Sequence, residues 1–112
     1  PAIPQEELMR QHTAAEKSNA IRARVTKSHQ RQLDRQGKTN SRLSVKEIDQ
    51  HCTIDSASET LLKQAISRLN LSARAYHRIL KVARTIADLS SAEKISNQHI
   101  AEAVQYRRLD KQ

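Results

Sequence analysis

The stretch LSARAYHRILKVARTIADL, residues 71–89, decides the fold. Set at 100° per residue, Tyr76, Ile79, Leu80, Ala83, Ile86 and Ala87 gather on one face of a helix, and that face belongs in a core. Arg74, Arg78, Lys81 and Thr85 fall on the opposite side of the same cylinder, free to meet something else. Ser72 is the expected N-cap, which places Arg74 in the first turn. Unpaired N–H groups and the positive end of the dipole also favour an anion there.

The neighbouring segments supply partners for the apolar face. Two S-x-x-E patterns, Ser44 with Glu47 and Ser56 with Glu59, read as capping boxes that open two helices. The first is short, reaching about Cys52, with Val45, Ile48 and Cys52 on one side. The second runs to about Leu69 and carries Leu61, Leu62, Ala65, Ile66 and Leu69 as a wide apolar stripe. Asn70 and Leu71 leave only a tight turn before the central helix, so the two form an αα-hairpin. Beyond Leu89, residues 90–94 read as a loop, Ile95 can tuck under the bundle, and Ser96 caps a last helix bearing Ile100, Ala103 and Val104 that ends near Leu109.

Composition agrees. The 112 residues suffice for one modest core. With two tyrosines and no Phe or Trp, that core is built from Leu, Ile, Val and Ala, and both prolines lie within the first four positions. Nothing later forbids helix. The expected fold is all-α, a small bundle of four to five helices with a long basic helix in front. Residues 1–15 read as a disordered tail or linker, residues 16–42 as the basic helix and its loop, and residues 43–112 as the bundle. Gly37, followed by Lys38, Thr39 and Asn40, supplies the helix stop.

The chain's charge of +8 is local. Between Lys17 and Arg42 there are eight basic residues against Asp34 alone, a net of +7. Lys17, Arg24, Lys27, Arg31, Arg35 and Lys38 recur at spacings of three, four or seven and form one stripe. Such a stripe is a solvated face, a surface for nucleic-acid phosphates, or a contact with an acidic neighbouring subunit. No aromatics are interleaved for base stacking.

Other chemistries find little footing. The five histidines lie in different segments without metal-ligand spacing, and no metal site is expected. His51 and Cys52 point about 100° apart on a helix, which makes Cys52 a small buried hydrophobe rather than a nucleophile. One glycine cannot build a phosphate-binding loop or a nucleophile elbow, so this chain alone should not turn over a substrate. A single cysteine forms no internal disulfide, no apolar run approaches a membrane span, and the expected location is cytoplasmic. The chain opens on Pro1, with Met9 its only methionine, as a processed or excised segment would. The hairpin into Ser72 could also present Ser72, Arg74 and His77 to base edges as a helix-turn-helix does, though the characteristic turn glycine is missing.

Three blocks carry a resemblance: RQGKTNSRLS at 35–44, SARAYHRILKVARTIADL at 72–89 and QHIAEAVQYR at 98–107. In this order and spacing they resemble the C-terminal region of bacterial magnesium-chelatase-like AAA+ ATPases, ComM-type competence proteins in particular, over about residues 16–108. The resemblance implies a helical lid following a nucleotide-binding core, with Ser72 and Arg74 opening the sensor 2 helix and Arg74 reaching the γ-phosphate of ATP held elsewhere. It implies ATP and Mg²⁺ as ligands of the full-length protein, the protein's own AAA+ core as partner, and a homo-oligomeric, hexameric ring acting on DNA in branch migration during natural transformation. The family's R-V-x-x-A-R-x-x-Q run is matched at Arg24, Val25 and Gln32 and departs at Ser28 and His29, so no role is carried over to position 29.

Overall fold

The computed structural model describes residues 5–110, with side chains as far as Arg107. The order is α1 (Gln5–Gln36), a single 3-10 turn (Asn40–Arg42), α2 (Val45–His51), α3 (Ser56–Arg68), α4 (Ala73–Leu89) and α5 (Asn97–Asp110). Among the described residues there is no strand, and no helix is long and apolar enough to cross a membrane. The all-α bundle is the one the hydrophobic periods predict.

Helix α4 is its hub, packing against α1, the 3-10 turn, α2, α3 and α5. Its apolar face is the expected one: Ile79, Leu80, Ala83 and Ala87 are buried, with Tyr76 and Ile86 half-buried at the margins. Leu43, Ile48, Cys52, Leu62, Ile95, Ile100 and Ala103 complete the same core cluster. Ile95 does tuck under. Burial pushes the Cys52 thiol up to about 11, so it stays protonated and acts as an apolar filler.

Both ends of the hairpin use the same device. Asn70 takes the left-handed conformation at φ 53°, Leu71 N donates to Ile66 O and Asn70 N to Ser67 O, a Schellman motif that turns α3 into α4. At the far end of α4, Ser91 (φ 59°) plays the same part, with Ala92 N donating to Ala87 O. With one glycine in the chain, at Gly37 (φ 73°), asparagine and serine fill these left-handed positions.

Three expectations need correction. Helix α1 starts at Gln5, not near residue 16, so residues 5–15 are helical; residues 1–4 lie outside the described part. Glu6 and Glu7 complement the positive end of its dipole, and nothing between Gln5 and Gln36 interrupts it. These residues nevertheless touch no core. Second, α3 is capped by Asp55, whose Oδ1 accepts from Ser58 N at 2.8 Å, and Ser56 is already helical. A carboxylate one residue earlier is the stronger acceptor, and its pKa is lowered by that bond. The Ser58 hydroxyl instead bonds Asn97, tying α3 to the start of α5. The first box stands as read, with Glu47 N on Ser44 Oγ at 3.2 Å and Ser44 N on Glu47 Oε1 at 3.0 Å. Third, the side of α4 opposite the core is not all free, because its C-terminal half is covered by α1 and the 3-10 turn.

Candidate functional site

Helices α1, α2 and α3 follow the dipole rule, with Glu6 and Glu7, Glu47, and Glu59 in their first turns and Arg35, His51 and Arg68 in their last. Helix α4 reverses it. Arg74 stands in its first turn and Asp88 in its last, with no acid at the start and no base at the end. Each placement is locally unfavourable, and the two are resolved differently.

At the C-terminal end the compensation comes from within the chain. Asp88 is 2% exposed. Its Oδ1 accepts from Arg35 Nη1 at 2.9 Å and is ion-paired with Arg84 Nη2 at 3.0 Å; its Oδ2 accepts from Arg35 Nη2 and Asn40 Nδ2, both at 3.0 Å. Burial alone would raise its pKa, but hydrogen bonds from Arg35 and Asn40 and the charge of Arg84 outweigh it and hold the carboxyl below its ordinary range. Arg84, equally buried, bonds the carbonyls of Ala92 and Glu93 and so folds the loop after α4 back onto the helix. Burial pushes the Arg84 guanidinium down and Asp88 pulls it back up.

The network continues into α1. Asn40 Oδ1 accepts from Gln36 Nε2 at 2.7 Å and from Arg35 Nη2 at 3.0 Å, and Asn40 N donates to Gln32 Oε1 at 2.8 Å. Gln32 Nε2 in turn donates to Ser28 Oγ at 3.0 Å. The buried Ser28 thus gives Gln32 a partner. Arg35 belongs to this network, and Lys38 is paired with Glu47 at 2.8 Å. The basic stripe therefore loses both residues: Arg35 turns inward because a buried carboxylate 53 positions away requires it, and Lys38 is taken by the α2 cap. Lys17, Arg24, Lys27 and Arg31 remain exposed, without an ion pair among the described residues.

At the N-terminal end of α4 the compensation is missing. Ser72 occupies the N-cap position with extended backbone, but its side chain makes no capping bond. Arg74 is exposed, with no hydrogen bond or ion pair among the described residues. It borders an open cavity of about 550 Å³ lined by the buried Leu43 and Ile48, the exposed Val45 and Ala73, and a basic rim of Arg74, His77, Arg78 and Lys81. No acidic side chain lines it. His77 Nε2 lies 3.8 Å from Asp49 Oδ1, and its ring stands edge-on to Tyr76. An anion brought from outside would complete this end of the helix as Arg35 and Arg84 complete the other.

Residues 15–107 match the family model described as magnesium chelatase, subunit ChlI C-terminal. The chain belongs to the magnesium chelatase C-terminal family. Within it, the chain is 43% identical to competence protein ComM of Haemophilus influenzae over 107 residues, covering 96% of this chain and 21% of that relative. It is 42% identical over 110 residues to the uncharacterized protein YifB of Salmonella typhimurium, covering 97% and 22%. The YifB of Escherichia coli K12 is 43% identical over 96 residues, covering 86% and 19%. This magnesium chelatase C-terminal domain spans about a fifth of the length of the curated relatives it matches. It is related to ComM and matches the C-terminal part of these relatives.

Proposed function

We propose that the domain is the lid of an AAA+ ATPase and that Arg74 is its sensor 2 residue, contacting the γ-phosphate of ATP held by the protein's core domain. The observation that carries the reading is the uncompensated guanidinium in the first turn of α4, in a helix whose other charge violation is fully compensated. An arginine offers a rigid fork of donors to phosphate oxygens and neutralises charge that builds up as the terminal phosphoryl group leaves. Ser72 beside it has a hydroxyl not used in capping and is the second nucleotide contact. The rim has no carboxylate, so it suits phosphate rather than Mg²⁺, whose ligands belong to the nucleotide and to the rest of the protein. The Arg35–Asp88–Arg84 clamp fixes α4 to α1, so that movement of Arg74 on nucleotide turnover becomes rotation of the whole lid. In the full-length protein this serves a cytoplasmic homo-oligomeric ring, hexameric in this reading, that acts on DNA.

In the full-length protein, Arg74→Ala is expected to leave the melting temperature unchanged and to lower ATP hydrolysis on the order of a hundredfold. Hydrolysis at the wild-type rate in a folded variant would overturn the assignment. A second reading rests on α1: Lys17, Arg24, Lys27 and Arg31 form an exposed row that fits nucleic-acid phosphates.

A further inference from the structure

Arg74 is one of four basic residues along a single face of α4. Arg74, His77, Arg78 and Lys81 stand at i, i+3, i+4 and i+7, all on the rim of the same cavity, with no acid among its lining residues. Like charges at this spacing repel, and none lies near the helix end where cations are favoured. Two of the four have found partners. Lys81 Nζ donates to Ser41 O at 3.2 Å, and His77 faces Asp49. Arg78, like Arg74, is exposed and has no hydrogen bond or ion pair among the described residues. The two guanidinium groups without partners therefore sit one turn apart on the same face, about 6 Å along the axis.

We propose that Arg78 is a second phosphate-binding residue, which with Arg74 forms a two-arginine clamp on the polyphosphate of a nucleoside triphosphate. This rests on the reading of Arg74 as a nucleotide contact. A single phosphate occupies one guanidinium fork; a triphosphate spreads its charged oxygens over a length comparable to one helical turn and can engage both. Binding it would relieve the repulsion between the two cations and supply the anion that the first turns of α4 lack. Lys81, drawn back onto the 3-10 turn, is left out, and His77 closes the side toward α2.

The test is equilibrium binding of a non-hydrolysable ATP analogue and of AMP to the full-length protein, in the wild type and in Arg74→Ala, Arg78→Ala and Arg78→Lys. Arg68→Ala, an exposed arginine on α3, controls for loss of one positive charge. The expected result is a roughly tenfold weaker ATP-analogue affinity in Arg78→Ala, partial recovery in Arg78→Lys, AMP affinity unchanged, and no effect of Arg68→Ala. Wild-type affinity in Arg78→Ala alongside weakened affinity in Arg74→Ala would overturn the clamp and leave the sensor reading standing. Wild-type affinity in both arginine variants would overturn the two together, as would an equal loss in Arg68→Ala, which would reduce Arg78 to general electrostatics.

Discussion

Asp88 accepts three hydrogen bonds, two from Arg35 and one from Asn40, and forms an ion pair with Arg84 on its own helix. Removing its charge would leave Arg84, 4% exposed, as a cation without a counter-ion in the core. Breaking a buried pair from one side costs about 3–5 kcal/mol, against a total stability on the order of 5–15 kcal/mol for a domain. Asp88→Asn should therefore lower the urea midpoint of the domain severely, and Arg35→Ala, from a group nearer the surface, should cost less. A midpoint within experimental error of wild type in Asp88→Asn would refute the clamp's structural importance. The same group sets an acid limit. Its pKa is depressed in the folded state, so its contribution is complete above the ordinary carboxylate range and is lost as pH falls through the folded value. Glu47 adds to this: the Lys38 ammonium and the Ser44 cap lower its pKa to about 2. Wild-type stability should fall as pH drops below about 4, and the combined Asp88→Asn, Glu47→Gln variant should show a flatter acid limb.

Helix α4 owes its boundaries to two left-handed turns, and they are not equally well filled. Asparagine tolerates this conformation, whereas serine at Ser91 (φ 59°) bears most of the steric penalty of its Cβ. Ser91→Gly removes that penalty while adding freedom to the unfolded chain, and should raise stability by about 0.5–1 kcal/mol in urea unfolding. A loss of stability would mean that the serine side chain has a role beyond the turn. This end of the helix also marks where sequence reading stopped. The apolar face of α4 was legible because burial of Ile79, Leu80, Ala83 and Ala87 follows a local period, and Arg74 was legible as exposed for the same reason. Arg84 and Asp88 were not, because their burial depends on partners brought together by the fold: Asp88 meets Arg35 across 53 positions. A stripe drawn by spacing alone could not separate Arg35, which points inward, from Arg31, which does not. Asp55 took the cap from Ser56 because S-x-x-E counts only the hydroxyl and ignores a better acceptor one residue upstream.

The whole molecule is longer than its bundle requires. Its extents are 59 × 34 × 22 Å and its radius of gyration is 17.8 Å, where a compact chain of this length gives about 13 Å. The excess is α1, whose 32 residues make a rod of about 48 Å. Its first buried residue is Ser28, so the N-terminal two-thirds stands clear of the bundle. Removing residues 1–16 should accordingly shift stability by no more than about 0.5 kcal/mol, whereas removal through Gln32 should unfold the domain by taking the anchor of Asn40. The projecting part carries Lys17, Arg24 and Lys27, and Arg31 continues the exposed row beside the buried Ser28 and Gln32, so four cations along one helix can follow a phosphate backbone. If they do, binding of the chain to duplex DNA should weaken with salt at a slope of about −3 to −4 in log K against log concentration, the value for about four displaced counter-ions. Replacing all four with glutamine should bring the slope toward zero without changing thermal stability, since none contributes an ion pair. An absence of binding at low salt, or an unchanged slope in the fourfold variant, would assign the rod to a protein partner instead, for which an acidic surface on a neighbouring subunit is the matching chemistry.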